Sequence, residues 1–162
     1  MSATNDFRPK TRYHSPARPI QLGLVGNPNT GKSTLFNTLT GLRQHVGNYP
    51  GVTVTTKTGI VFLDKTPAYI TDLPGTYSLS ASSPDERIVF EFLSGRIENA
   101  PSPDLIVCVV DATNLSRNLF LASQIAEREM PMVIALSFWD SALRQKTRID
   151  VSLLSKRLGV PV

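Results

Sequence analysis

The chain has 162 residues, 41% hydrophobic and 19% charged, a globular balance that excludes a disordered or fibrous protein and suits one domain of ordinary size. Its net charge of +4 is concentrated in residues 1–18, where Arg8, Lys10, Arg12 and Arg18 against Asp6 leave the rest close to neutral, so no nucleic-acid partner is expected of the folded body. The longest apolar runs, Leu105 to Val110 and Met130 to Leu136, fall far below the ~20 residues that cross a bilayer, no signal-peptide pattern opens the chain, and the single cysteine, Cys108, excludes an internal disulfide and a cysteine metal cluster.

Residues 1–18, basic and rich in Pro, Ser and Thr, read as a solvated flexible extension, and residues 19–162 as the domain. From Pro19 onward, apolar runs of strand length alternate with segments of helical period, which predicts an α/β fold with a parallel sheet and crossover helices. A strand is predicted over Ile20 to Val25, then a helix over Lys32 to Leu42 with Leu35, Phe36, Leu39 and Leu42 on one face. Arg43 to Thr53, containing Gly47, Asn48, Pro50 and Gly51, reads as a long loop that returns into a strand over Val54 to Leu63, with another strand over Ala68 to Thr71. Ser83-Pro84-Asp85-Glu86 opens the second helix: Ser83 can cap, Pro84 suits the first helical position, and Glu86 can reach back to complete a capping box. Ile88, Val89, Phe92 and Leu93 form its apolar face and Gly95 its stop. Leu105 to Val110 is a strand with Cys108 in the core, and Leu115, Leu119, Ala122 and Ala126 mark a third helix capped by Thr113 or Asn114. Met132 to Leu136 is the next strand, the last helix runs from Asp150 to a glycine stop at Gly159, and a further strand begins there.

Gly26-Asn27-Pro28-Asn29-Thr30-Gly31-Lys32-Ser33 matches G-x-x-x-x-G-K-[ST] and lies where that motif must lie, between an apolar strand and an amphipathic helix. Its glycines let successive backbone N–H groups turn inward, the helix N-terminus adds positive potential, Lys32 can reach the β and γ phosphates, and Ser33 can ligate Mg²⁺. Asp72-Leu73-Pro74-Gly75, at a strand's carboxyl end, supplies a second magnesium-side carboxylate and, at Gly75, a backbone N–H for the γ phosphate. Between the two, Thr53 is either a lid residue completing the magnesium shell or a β-branched residue that merely opens a strand. After the strand ending at Leu136 stands Ser137-Phe138-Trp139-Asp140, in which Asp140 is either a solvated helix-start residue or a carboxylate accepting from N1 and the exocyclic amine of guanine. Phe138 can then lie against the base, and three motifs at the carboxyl ends of three strands favour the guanine reading.

In combination, Gly26 to Thr34 as GNPNTGKST, Asn48 to Val54 as NYPGVTV and Asp72 to Leu79 as DLPGTYSL resemble the GTPase domain of the bacterial ferrous-iron transporter B family, a resemblance that runs from about Ile20 to the end of the chain. It implies a P-loop NTPase, with a mainly parallel sheet flanked by helices, that binds GTP and GDP with Mg²⁺. It also implies a cytoplasmic position at the inner face of the membrane, joined to a transport domain that admits Fe²⁺, and an oligomer is compatible with it. By the same likeness Gly51, Val52 and Thr53 belong to the nucleotide lid, and Asn29 matches the asparagine that coordinates K⁺ in potassium-activated members. Asn29 taken alone is equally a turn-former tolerating an unusual backbone angle. Thr76 stands where well-known small GTPases carry a water-orienting glutamine, which implies slow turnover. Two departures stand out: Ser137 replaces the family's asparagine, which predicts weaker guanine binding, and Val162 falls before the family's serine-alanine pair and closing helix, so the domain reads as incomplete at its C-terminal side. An RNA-linked ribosome-assembly GTPase and a non-hydrolysing nucleotide switch are the alternatives.

Overall fold

The computed structural model describes residues 19–41, 43–48, 55–97 and 101–162. The chain runs β1 (Ile20–Gly26), α1 (Lys32–Thr40), β2 (Gln44–Asn48), β3 (Thr55–Leu63), β4 (Thr66–Asp72), α2 (Pro84–Leu93) and β5 (Leu105–Asp111). A 3₁₀ turn (Ala112–Asn114) then leads into α3 (Leu115–Ala126), β6 (Met132–Ser137), α4 (Trp139–Arg144) and α5 (Val151–Leu158). The six described strands form one sheet in the order β2-β3-β4-β1-β5-β6. β1 pairs in parallel with β4 and β5, and β5 with β6, whereas β2-β3 and β3-β4 are antiparallel. The sheet is therefore mixed, its parallel part being β4, β1, β5 and β6, three of which carry the motifs at their carboxyl ends.

The predicted parallel strands are present, extended by a residue or two at their ends. The segment expected as one long loop departs from expectation: Gln44 to Asn48 pair with Gly59 to Thr55 as the edge strand β2. Its alternation is weak because an edge strand has little to bury; Val46 is 58% exposed. Gln44 to Asn48, including Gly47, thus belong to a strand, while Tyr49, Pro50, Gly51, Val52, Thr53 and Val54 lie outside the described residues.

α1 ends at Thr40, two residues earlier than expected, because Gly41 takes a positive φ of 57° and its N–H closes on the Asn37 carbonyl. Leu39, expected on the buried face, is 46% exposed, and Thr40 is buried in its place with its hydroxyl donated to the Phe36 carbonyl. Leu42 lies outside the described residues. α2 starts as its sequence dictates, with Pro84 first and the Ser83 hydroxyl accepting from the Glu86 N–H at 3.2 Å. The Glu86 carboxylate reaches back to the Ser83 N–H as expected, and it also accepts from the Ser82 N–H and from the Ser78 and Ser80 hydroxyls. Gly95, at φ 62°, stops the helix as expected.

α3 corrects two expectations. Asn114 stands at the N-cap, one of the two residues expected there, but its side chain makes no capping bond; Asp111 caps the preceding 3₁₀ turn, accepting from the Thr113 N–H at 2.8 Å. Its buried face is Asn118, Leu121, Ala122 and Ile125, with Leu115, Leu119 and Ala126 half-buried beside it. α5 follows the sequence reading: Asp150 accepts from the Leu153 N–H, and Gly159 ends the helix at φ 70°. The expected start of a further strand has its counterpart at Pro161, whose carbonyl accepts from Ile134 of β6 at 2.9 Å.

Two apolar clusters flank the sheet. The larger joins β5 and β6 to α2 and α3 and includes Val89, Phe92, Ile106, Cys108, Leu121 and Ile134. Gly23 on β1 serves it by having no side chain, because a Cβ there would meet the Phe92 ring at 2.7 Å and the Ile106 Cδ1 at 2.9 Å. The smaller packs Phe36 of α1 on Leu22, Leu24, Val61, Ala68, Ile70 and Val109, with Ile20, Leu105 and Val107 half-buried at its margin. Cys108 sits in the larger cluster as an inert core residue, its thiol pushed up to about 12 by burial.

Candidate phosphate-binding site

The carboxyl ends of β1 and β4 lie side by side, Leu24 in register with Asp72. β1 is buried through its last five residues, so its backbone delivers Gly26 to a fixed point from which the chain must turn before α1 begins. Two residues in that turn take left-handed conformations, Asn29 at φ 63° and Gly31 at φ 78°. Asparagine tolerates this angle at small cost and glycine at none. A backbone that alternates in this way forms an anion-binding concavity. Thr30 braces it from within, its buried hydroxyl donated to the Asn27 carbonyl at 2.8 Å. Gly26 needs its small size: a Cβ there would approach the Val109 carbonyl oxygen to 2.7 Å.

The turn opens on a cleft of about 590 Å³, lined by Asn27, Pro28, Asn29, Gly31, Lys32, Ser33, Thr34, Gly75 and Asp85. Lys32 and Asp72 form a buried ion pair at its floor, their side chains 10% and 9% exposed, with the Lys32 Nζ donating to the Asp72 Oδ1. The Ser33 hydroxyl lies 3.5 Å from the other carboxylate oxygen of Asp72. A hydroxyl and a carboxylate converging on one point are the hard oxygen donors that Mg²⁺ takes when it keeps its remaining positions for water and phosphate, so this pair fits that ion. Among the described residues no group of three or more His, Cys, Asp or Glu stands ready as a metal cluster.

After β4 the chain folds over the rim of the cleft. Leu73 donates to the Leu24 carbonyl and is buried, Pro74 is half-buried, and the Thr76 N–H donates to the Gly26 carbonyl at 3.1 Å. This seats Gly75 against the phosphate loop so closely that a Cβ would stand 3.0–3.2 Å from Pro28 Cα, N and Cγ. The Thr76 hydroxyl is donated to the Ser78 carbonyl at 2.9 Å.

The third expected motif reaches the same end of the sheet from β6. Ser137 is half-buried and donates to the Val110 carbonyl at 3.2 Å. Phe138 takes φ 51° at the start of α4, and its ring faces the phosphate loop, with Cζ 3.7 Å from where a Gly31 Cβ would lie. Asp140 lies in the first turn of α4, exposed and paired with Arg144 at 2.8 Å, an i,i+4 surface contact. Ser137 and Phe138 therefore adjoin the phosphate loop, whereas Asp140 points into solvent.

One contributor, Asp85, and one contact, that of Asn27 with α3, are not foreshadowed by the sequence. Asp85 was legible only as the second residue of a capped helix, yet it lines the cleft. Asn27, within the motif, is 3% exposed and reaches α3 by donating to the Arg117 carbonyl at 3.5 Å. No local pattern connects residues 90 positions apart in sequence.

Fold and site together define an α/β domain of the P-loop NTPase class. A family model described as "Ferrous iron transport protein B" matches residues 20–162. The chain belongs to that family. It is 49% identical over 150 residues to the Fe(2+) transporter FeoB of Salmonella typhimurium, an alignment covering 90% of this chain and 19% of the transporter, so it spans about a fifth of the curated relatives it matches. A mutant NFeoB of S. thermophilus bound to mGDP is 46% identical at a TM-score of 0.81, over 90% of this chain and 54% of that one. The cytosolic domain of T. maritima FeoB in its GMPPNP form is 40% identical at a TM-score of 0.82, over 88% and 55% respectively. Among the described residues no helix is long and apolar enough to cross a membrane.

Proposed function

We propose that this domain binds GTP and GDP with Mg²⁺, hydrolyses GTP slowly to GDP and phosphate, and in the whole protein regulates the passage of ferrous iron through a membrane transport domain, from the cytoplasmic side. The observation that carries the reading is the meeting of Lys32, Ser33, Asp72 and Gly75 around one left-handed turn, in a chain whose relatives include structures holding mGDP and GMPPNP. In this reading Gly26 to Thr34 wrap the phosphates, Lys32 offsets charge on the β and γ groups, and Ser33 and Asp72 hold Mg²⁺, which shields the phosphate charge. Gly75 donates to the γ phosphate, and Gly51, Val52 and Thr53 close over it with Thr53 as a further magnesium ligand. Asn29, already turned to the cleft rim, coordinates K⁺. Phe138 lies against the base, Ser137 stands beside it, and Asp140 leaves Arg144 to accept from guanine; a solvent-exposed pair of this kind is worth at most about 1 kcal/mol, so the exchange is inexpensive.

The test is affinity and phosphate release for GTP against ATP, in potassium and in sodium buffer, on the wild type and Lys32→Ala. GTP preferred, turnover faster in potassium, and loss of binding in Lys32→Ala are the expected results; nucleotide uptake undiminished in Lys32→Ala overturns the reading. A switch that binds without turnover has one feature in its favour, since Thr76 follows Gly75 and the proton of its hydroxyl is committed to the Ser78 carbonyl, which leaves it no donor for an attacking water. Tight binding with no phosphate release in either salt selects that reading. Relatedness to iron transporters disfavours the RNA-linked alternative.

A further inference from the structure

We propose that Arg117, at the start of α3, is a positioning residue that keeps Gly75 at the phosphate cleft and so makes the domain sense the third phosphate. This rests on the nucleotide reading given above and adds a part to it. Arg117 touches both halves of the site with different groups. Its main-chain carbonyl accepts from the side-chain amide of Asn27 in the phosphate loop at 3.5 Å. Its guanidinium lies 4.3 Å from the centroid of the Tyr77 ring, two residues beyond Gly75. Tyr77 is 42% exposed and in no hydrophobic cluster, so this stacking is its chief anchor.

The strip after Gly75 is tied to α3 a second time, two turns on, where the Leu79 N–H donates to the Gln124 side chain at 2.9 Å. Just ahead of these two ties the Thr76 N–H donates to the Gly26 carbonyl and holds the strip on the phosphate loop. Asn27 adds to the dependence on α3, because its amide oxygen is buried without a partner and its amide nitrogen reaches only the long bond to Arg117. α3 is a sound base for such a tie: Leu121, Ala122 and Ile125 anchor it in the larger core cluster.

Truncating the side chain leaves the carbonyl, so the Asn27 contact survives and only the Tyr77 arm is lost. A diphosphate does not reach Gly75 and a triphosphate does. The measurement is the dissociation constant of GDP and of GMPPNP for the full chain with Mg²⁺, in the wild type, Arg117→Ala, Arg117→Lys and Tyr77→Phe. In Arg117→Ala, GMPPNP binding weakens by about two- to fivefold, the size of one partly exposed cation–π contact, with GDP binding unchanged. Arg117→Lys and Tyr77→Phe, which keep cation and ring, stay near the wild-type ratio. An unchanged ratio in Arg117→Ala, equal weakening of both nucleotides, or an Arg117→Lys as impaired as Arg117→Ala overturns the inference. A wild type that binds neither nucleotide instead overturns the reading of the site itself.

Discussion

The buried pair of Lys32 and Asp72 invites a double-mutant cycle. Both side chains are about nine-tenths covered, at 10% and 9% exposure, so removing one partner leaves a charge with little water to take its place. A fully interior pair broken in this way costs about 3–5 kcal/mol. Here the pair borders a cleft of about 590 Å³, into which a long lysine side chain can swing its ammonium. The expected loss for Asp72→Ala without nucleotide is therefore nearer about 2–3 kcal/mol, a sizeable share of a typical 5–15 kcal/mol of stability and a fall of roughly 5–10 °C in Tm. Lys32→Ala in the Asp72→Ala background removes the stranded charge, so the double variant is more stable than the sum of the two single losses by about 1–2 kcal/mol. Urea unfolding monitored by circular dichroism measures all four species. Additive losses within about 0.5 kcal/mol would show that the two side chains are not coupled, and the account of the cleft floor would be wrong.

Three further outcomes follow from particular contacts. Ser137→Asn restores an amide long enough to bridge two partners, so guanine nucleotides bind about two- to tenfold more tightly, the worth of one hydrogen bond; unchanged GTP affinity with ATP still excluded refutes the role given to Ser137. The hydroxyls of Ser78 and then Ser80 hold the Glu86 carboxyl below its ordinary value of 4.5, so its contribution to stability is present above that value and is lost as pH falls through the lowered one. The stability gap between wild type and Glu86→Gln is then constant near neutrality and closes below about pH 4.5; a gap that widens on acidification contradicts the hydrogen bonding. Cys108, buried and with its thiol raised to about 12, resists a thiol reagent until the protein unfolds, and rapid labelling of the native chain would contradict its placement in the core.

How legible each element was depends on how local its cause is. Ser83 capping α2, Gly95 and Gly159 ending their helices, and Asp150 starting α5 are decided within four residues of chain, and each stands where its pattern put it. β1 and β5 are covered over most of their length and every residue of β6 is at least half-buried, so runs dominated by apolar residues announce them. β2 is the opposite case: Gln44-His45-Val46-Gly47-Asn48 has no strong preference of its own and is extended because β3 offers it a ladder of backbone hydrogen bonds. Leu39 misleads for a related reason. Helical period places it near Leu35 and Phe36, but α1 buries one narrow face, and Gly59, which a Cβ would drive to within 2.3 Å of Thr40, draws that face toward Thr40.

The site divides the same way. Its phosphate end is written in consecutive residues because an anion-binding turn is made of backbone, and the backbone angles that Asn29 and Gly31 adopt are properties of those residues. Asp72 was legible as well, since the end of a parallel strand beside the first is where a sheet of this topology presents a carboxylate. What no motif foretold is how those parts are held: Arg117 stacked on Tyr77, Gln124 on Leu79, Glu86 gathering the serines. Each joins segments brought together only by α2 and α3 packing on the sheet, and each bears on the strip after Gly75 and not on the phosphate loop itself. The division is physical: a cradle that must fit an unvarying phosphate can be encoded in one stretch of backbone. In the function proposed above, a strip that responds to the number of phosphates has to be balanced against neighbours that can release it, and here those neighbours are exposed or half-buried side chains with contacts weak enough to break.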